Sequence, residues 1–229
     1  MAVLKNTKYI GGGSLIHKSF VLTSATKVNG VNAADLIARV GEFDFTSTEE
    51  VHEDINVKNI IIHEGFILES LRPNNIALLQ LAKPVTFGQY INIVCLPPPN
   101  VKFDNKLCIA TSWGKNKFTD PKKAFPAIIM KSEMTIHPKA TCETAYNNMK
   151  PRMTELIPGI ICAGGGDNDT CGGNGGSPLV CAGDNNSYYQ VGIVSWGLGC
   201  QQSEKPIAYT EVSYYVDWIN SKINSTLYT

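Results

Sequence analysis

The chain carries no excess of either charge. It has 20 lysine and arginine residues and 20 aspartate and glutamate residues among 229, so its formal net charge at pH 7 is zero. This balance disfavours a nucleic-acid partner, because proteins that bind the phosphate backbone usually carry a clear excess of positive charge. Long hydrophobic runs are absent as well, since no apolar stretch approaches the roughly 18 residues that a membrane helix needs. The sequence therefore predicts neither a nucleic-acid partner nor a membrane partner.

Cysteine pairs spaced as in zinc sites are also missing. The seven cysteines include no C-x-x-C pair, and we expect no metal and no other cofactor. An odd number of cysteines in an oxidising compartment leaves one thiol that is free or bonded to something outside the chain. Three sequons, at Asn168, Asn185 and Asn224, are a weak indication of secretion.

What the sequence does contain is a series of short β-strand patterns. They are rich in branched residues and are bounded by Gly, Asn, Asp or Pro, which is typical of a sandwich or barrel. They lie at residues 14–16, 20–23, 36–40, 57–62, 76–81, 190–196 and 207–210. Apolar residues recur at helical spacing in Tyr214–Ile223, which predicts a terminal helix. Leu96–Asn100 contains three prolines and is predicted to connect two halves, because proline lacks the donor of a strand ladder.

The most informative segment is rich in glycine. Residues Cys171–Cys181 read CGGNGGSPLVC, and this density of glycine indicates a loop with positive φ or a close backbone approach. The segment resembles the nucleophile loop of chymotrypsin-like serine proteases, which reads C-x-G-D-S-G-G-P-L. Other matching segments follow in the family's order, and they cover nearly the whole chain: residues 12–16, 20–26, 74–79, 112–114, 195–197 and 217–219.

The resemblance implies a mainly β fold of two six-stranded antiparallel barrels with a C-terminal α-helix. We expect one protease-like domain over residues 1–229, with an N-terminal barrel in 1–96 and a C-terminal barrel plus helix in 97–229. The resemblance aligns Met1 downstream of the family's activation N-terminus. A narrower similarity, on GNGGSPL, is to arthropod clip-domain serine protease homologs, which include prophenoloxidase-activating cofactors. We recognise no clip domain within the 229 residues.

The chemistry of this family needs a serine that attacks, a histidine that takes its proton and an aspartate that orients the imidazole. The resemblance assigns Thr26 to the position of the histidine, Asn75 to that of the aspartate and Gly175 to that of the serine. Any one of these losses typically removes four or more decades of rate, and restoring only one rescues nothing. The sequence therefore predicts a pseudo-protease with no catalytic residue.

A substitute nucleophile is the alternative. Ser177 lies two residues beyond the vacant serine position, but a nucleophile needs a base within hydrogen-bond reach. The four histidines lie away from the matched loop: His17, His52, His63 and His137. We therefore favour the inactive interpretation over a hydrolase of altered mechanism.

Three further departures from the family are present. The aspartate before the nucleophile, which pairs with the new N-terminus after zymogen cleavage, is Asn174 here. Gly11 and Lys27 occupy two positions that are bridged cysteines in the family. Both cysteines are replaced together, as expected when a disulfide is discarded as a unit.

The substrate pocket is partly retained in the sequence. The resemblance assigns Asp169 to the acidic base of a trypsin-like pocket, and Ser195, Trp196 and Gly197 to its wall. Ile207 stands where family members with open pockets usually carry glycine, so its side chain is expected to fill the slot. We favour a blocked pocket, since a pocket needs both charge and volume; a solvated or internally paired Asp169 remains open.

The resemblance also implies a disulfide pattern, although six cysteines alone allow fifteen pairings. The implied pairs are Cys108–Cys181, Cys142–Cys162 and Cys171–Cys200. Cys95 is the odd cysteine, and it matches the one that ties the family's protease domain to its upstream segment. The alternative is a buried or capped thiol.

A cluster of acidic residues lies between residues 42 and 54. It lies where some family members bind calcium through oxygen ligands, but we favour a merely solvated loop, because clustered surface charge is common. Its members are Glu42, Asp44, Glu49, Glu50, Glu53 and Asp54.

Taken together, these patterns predict a secreted, non-catalytic protease homolog. By resemblance it would act through protein partners as a cofactor or regulator in an extracellular protease cascade, in arthropod innate immunity or melanisation, with an upstream clip or pro-segment attached through Cys95. A weakly active hydrolase of altered mechanism and a decaying duplicate without function are the alternatives.

Overall fold

A computed structural model describes residues 1–68, 73–114, 126–149, 155–164, 174–184, 187–197 and 206–227. Within these ranges the chain forms two antiparallel β-sheets and a C-terminal helix. The strands of the N-terminal sheet are β1 Ala2–Lys5, β2 Lys8–Gly12, β3 Ser14–His17, β4 Phe20–Thr23, β5 Leu36–Val40, β6 Glu53–Ile62 and β7 Ala77–Leu81. Helix α1, Ala25–Val28, and a 3₁₀ turn at Ala33–Asp35 lie between β4 and β5.

The second half begins with β8. Its elements are β8 Leu107–Ser112, β9 Met130–His137, α2 Lys139–Met149, β10 Ile160–Ala163, β11 Pro178–Ala182, β12 Tyr188–Trp196, β13 Ile207–Glu211 and α3 Val212–Leu227. The six strands of this half form a closed barrel in the order β10-β13-β12-β11-β8-β9.

The N-terminal sheet curls so that its two edges meet. Its strand order is β2-β1-β5-β6-β7-β4-β3, and its edge strands β2 and β3 are separated in sequence only by Gly13. They are therefore two halves of one bent strand. The bend needs a glycine, because the Cβ of any other residue at position 13 would lie only 2.9 Å from Cγ1 of Val21, which is closer than side-chain atoms normally pack. The alternating burial of β5, in which Leu36, Ala38 and Val40 face inward, fills this half with branched apolar side chains.

Side chains from both halves form a shared core. Phe20, Leu22 and Leu78 of the first sheet pack with Ile193 of the second and Ile219 of α3. Burial of such large apolar side chains stabilises the contact by about 2 kcal/mol for each residue. The two barrels are therefore held in one arrangement, and the cleft between them has fixed walls.

Polar groups also cross between the halves. Ser14 donates a hydrogen bond to Oε1 of fully buried Gln190 over 2.5 Å. The chain just before the proline connector pairs with β12, because Cys95 N donates to Tyr188 O over 3.1 Å and Gln190 N donates to Cys95 O over 2.9 Å.

Helix α3 is held against the first barrel at its exposed end. Trp218 Nε1 donates to Oε2 of Glu64 over 2.9 Å, and Lys222 forms an ion pair with the same carboxylate. The Lys222 ammonium, with these hydrogen bonds, lowers the pKa of Glu64 to about 2.

The predicted fold class is confirmed, and each predicted strand and the terminal helix have a counterpart. Helix α2 was not predicted. Its sequence, KATCETAYNNM, buries Cys142 and Tyr146, and all but one of its other residues are polar or alanine, so it lacks a strong apolar period. The division at residues 96 and 97 falls between the two sheets and stays a prediction. In the part of the chain that the structure describes, no helix is long and apolar enough to span a bilayer.

Candidate functional site

The cleft between the barrels contains the three positions that the resemblance assigns to the triad. Strand β4 leads into α1, which carries Thr26 in its first turn. The backbone N–H of Thr26 donates to Oδ1 of Asn75 over 2.9 Å, and the Thr26 hydroxyl donates to Ser24 Oγ over 3.3 Å. Thr26 therefore offers a hydroxyl, and no titratable nitrogen, in this position.

Asn75 makes hydrogen bonds to both halves of the protein. It is 1% exposed, and its Nδ2 donates to Oγ of Ser195 over 2.7 Å. Its backbone carbonyl accepts a hydrogen bond from Thr210 Oγ1 over 2.9 Å. Both ends of the amide are thus used, one as an acceptor towards the first barrel and one as a donor towards the second. A neutral amide satisfies this buried site without the cost of an unpaired charge.

Gly175 stands beside Lys27, the residue that follows Thr26. A Cβ placed on Gly175 would lie 2.5 Å from Cε of Lys27. A Cβ on Gly11 would lie 3.0 Å from Cγ of the same lysine. The hydrocarbon stem of Lys27 therefore lies against both Gly11 and Gly175. By the resemblance, Gly11 replaces a cysteine of the lost disulfide and Gly175 replaces the nucleophile, so the stem occupies the space of both missing side chains.

Ser177 is not placed for attack. It is 1% exposed and lies directly against Gly12 of β2. Burial raises the pKa of Tyr9 to about 12, although the neighbouring Ser177 side chain opposes the rise. The Ser177 hydroxyl therefore contacts a neutral phenol, which is no general base at neutral pH.

The histidines make their contacts elsewhere. His17 Nδ1 accepts from Ser19 N over 3.2 Å, and His63 Nδ1 accepts from Gly65 N over 3.1 Å. His137 Nε2 lies 2.6 Å from the carbonyl of Gly164, and His52 Nδ1 lies 3.8 Å from Oε2 of Glu42. None of these recorded contacts involves Ser177 or Thr26.

The residue before Gly175 is also neutral. Asn174 is 1% exposed and its side chain lies against Gly114. Where the family has an aspartate that pairs with the new N-terminus, this chain has a buried amide. The ion pair that organises the family's oxyanion-binding N–H groups cannot form with it.

The specificity-pocket residues are only partly described. Ser195 and Trp196 are buried and Gly197 is exposed, whereas Asp169 lies outside the described residues. Ile207 is 3% exposed and belongs to the core of the second barrel. A blocked pocket remains a prediction, because residues 165–173 and 198–205 are not described.

The described part of the chain contains two disulfides, Cys108–Cys181 and Cys142–Cys162. They are two of the three pairs implied by the resemblance. The third, Cys171–Cys200, lies outside the described residues. The odd cysteine, Cys95, is free and exposed, so it is not a buried thiol.

The acidic cluster has partners within the protein. Arg39 binds Asp54 through two hydrogen bonds, of 2.7 and 2.8 Å, and lies 3.2 Å from Oε2 of Glu42. Glu50 Oε2 accepts the N–H groups of Phe43 and Asp44. Among the described residues, no group of three His, Cys, Asp or Glu side chains is arranged to hold a metal ion. These carboxylates serve to order their own loop.

Sequence reasoning assigned the triad positions by resemblance, and that assignment stays a prediction, but it missed the role of Lys27. One signal was available, because the resemblance pairs the position of Lys27 with that of Gly11, so a long side chain faces a residue without one. What the sequence does not contain is the direction of that side chain, which depends on how β2 and the glycine-rich loop approach each other.

Comparisons with known proteins agree with this fold. The family model described as Trypsin matches residues 1–219. The inactive CLIP domain-containing serine protease A8 of Anopheles gambiae is 36% identical over 224 residues, which are 96% of this chain and 60% of that protein. The inactive CLIP domain-containing serine protease A28 of the same species is 36% identical, over 94% of this chain and 56% of that protein.

This chain covers a larger share of a third relative. Phenoloxidase-activating factor 2 of Galleria mellonella is 38% identical over 96% of this chain and 76% of that protein. The chain spans 60% or less of the length of the two Anopheles relatives.

Proposed function

The chain belongs to the trypsin family, and we propose that within this family it is a non-catalytic member that acts by binding other proteins. The observation that carries the proposal is the composition of the cleft. A threonine, a buried amide and a glycine occupy the positions that the resemblance assigns to the triad, and the stem of Lys27 lies where a side chain on Gly175 would be. Without an attacking oxygen and a proton acceptor, acyl transfer has no first step.

A rigid fold without chemistry is suited to recognition. The two barrels share an apolar core, and polar pairs such as Ser14–Gln190 and Asn75–Ser195 join them across the cleft. The surface is therefore held in a fixed shape, which reduces the entropy cost of binding a partner.

The names of the relatives support a more specific role. Two are called inactive serine proteases and one is called a phenoloxidase-activating factor. We infer that this chain is a cofactor or regulator in an extracellular protease cascade of arthropod immunity. The two disulfides support a secreted protein, because disulfides persist in oxidising compartments.

Cys95 is the proposed point of attachment for an upstream clip or pro-segment. The thiol is exposed, so a second sulfur can reach it without disturbing the fold. We expect intact-mass and disulfide mapping of the native secreted protein to find Cys95 in a bond. A reduced Cys95 in the full-length native chain would contradict the attachment.

The role as a cofactor is tested with purified components. The chain, with its disulfides intact, is added at increasing concentration to an insect prophenoloxidase and its activating protease, and phenoloxidase activity is recorded together with binding by biolayer interferometry. We expect saturable binding to one component and a saturable change in activity, which persist after treatment of the chain with a fluorophosphonate. A folded chain that binds neither component and changes nothing would contradict the role.

A further inference from the structure

A second cleft lies in the C-terminal half, where β13 ends and α3 begins. It has a volume of about 230 Å³, and none of the residues that line it is one of the degenerate triad positions. We call it the β13–α3 cleft. The side chains that matter for its chemistry are Glu211, Asp104, Lys102, Tyr214, Leu156 and Ile160.

Glu211 gives the β13–α3 cleft a buried charge. It is 5% exposed, and its Oε1 accepts from Lys102 Nζ over 2.7 Å and from Ser213 Oγ over 3.3 Å. Both hydrogen bonds end on the same oxygen. Oε2 has no hydrogen-bond partner within the described ranges and is not one of the fully buried atoms that lack a partner, so it reaches the open space of the cleft. This oxygen is available to a ligand that donates a hydrogen bond.

The charges around the cleft favour a cation. Lys102 is paired with Glu211, and Lys139 lies 3.5 Å from Oε1 of Glu143. Asp104 is exposed and has no ion-pair partner in the described part of the chain. The two lysines are therefore each matched by a carboxylate, the ring of His137 contacts the carbonyl of Gly164, and Asp104 adds one negative charge. An anionic ligand would have to separate these pairs, whereas a cation would not.

The remaining walls are apolar. Leu156 and Ile160 are buried beneath the cleft, and Tyr214 at its rim exposes 49% of its surface. An aromatic ring beside a carboxylate provides two sources of attraction for a cation, namely the π face and the negative charge. A volume of about 230 Å³ is below the roughly 300–1,000 Å³ of sites for drug-sized ligands. The occupant is therefore the size of one side chain or a fragment.

We propose that the β13–α3 cleft binds an organic cation, an amine or guanidinium group on a short apolar or aromatic body, with Glu211 Oε2 accepting its hydrogen bond. An arginine side chain presented by another protein and a free small guanidine share this chemistry. The site does not depend on the proposed role in a protease cascade, because it rests only on residues of the second half.

The test compares benzamidine with benzoate, which have the same ring and opposite charges. Binding is measured by protein-observed NMR titration on the wild-type chain and on Glu211→Gln, with Asp169→Asn as the matched control, since the family's pocket is the other place for a benzamidine. We expect benzamidine to bind with a Kd of about 1 mM, which is usual for a fragment of this size. Glu211→Gln is expected to weaken it at least tenfold, and Asp169→Asn to leave it unchanged.

Three results would overturn the proposal: no benzamidine binding up to about ten times that concentration, equal binding of benzoate, or a loss with Asp169→Asn and not with Glu211→Gln. If Glu211→Gln does not fold, Tyr214→Ala serves in its place and is expected to weaken binding several-fold. Agmatine and N-acetyl-arginine amide form the second arm. Tighter binding of the amide identifies an arginine side chain as the natural occupant, and tighter binding of agmatine identifies a free guanidine.

Discussion

Replacing Gly12 by alanine is expected to lower the free energy of unfolding by about 3 kcal/mol. A Cβ at this position would lie 2.7 Å from Cα of Ser177 and 2.9 Å from its Cβ. These are backbone-proximal atoms of the glycine-rich loop, so no change of rotamer relieves the overlap. The loop would have to move away from β2, which breaks the hydrogen bond of 3.1 Å from Gly12 N to Gly175 O.

Thermal unfolding followed by circular dichroism measures the effect, and the melting temperature should fall by roughly 6–12 °C. Gly88→Ala is the matched control, because a Cβ there has no neighbour within 4 Å. We expect the control to stay within about 0.5 kcal/mol of the wild type. Equal melting temperatures for the two variants would show that the loop does not lie against β2 as described.

Replacing Asn75 by aspartate is expected to lower the free energy of unfolding by about 3 kcal/mol at neutral pH. The recorded hydrogen-bond partners of Asn75 are the Thr26 N–H and the hydroxyl groups of Ser195 and Thr210, none of which is a cation. By the resemblance, Thr26 takes the position of the family's histidine, so a carboxylate at position 75 would be buried here without the imidazole that it faces in the family.

The loss should depend on pH in a defined direction. Burial raises the pKa of the new carboxyl above its ordinary value near 3.9, so the destabilisation is present at neutral pH and shrinks as the pH falls towards 4. Urea unfolding at pH 7.5 and pH 4 measures it. Asn92→Asp makes the same chemical change at an exposed position and should cost little at either pH. A loss of equal size at both pH values would contradict the buried-charge explanation.

The fold could be predicted because its signals are local and ordered. Short branched runs bounded by turn residues predict β4, β5 and β7, and the helical spacing of Tyr214–Ile223 predicts α3. Helix α2 was missed because it is stabilised by burial of only a few side chains, among them Tyr146, and not by a strong periodic pattern.

The site could be predicted only as a set of positions. By resemblance, the glycine-rich motif and its flanking segments assign Thr26, Asn75 and Gly175 to the triad, but they do not predict which side chain occupies the cleft. Tertiary packing determines that Lys27 turns towards Gly175 and that Ser177 turns towards Tyr9. The β13–α3 cleft could not be predicted from the sequence either, because Asp104, Leu156 and Glu211 are distant in sequence and only the fold brings them together.

Covalent labelling tests the central claim most directly. The folded chain is incubated with a fluorophosphonate, which reports an activated serine by intact mass, and in parallel with an arginine peptide substrate, with trypsin as the positive control and Ser177→Ala as the matched variant. Loss of a whole triad costs roughly 10⁶ in kcat, so we predict no mass increase and no turnover above buffer. Stoichiometric labelling with turnover, both abolished by Ser177→Ala, would contradict the account and identify a hydrolase of altered mechanism.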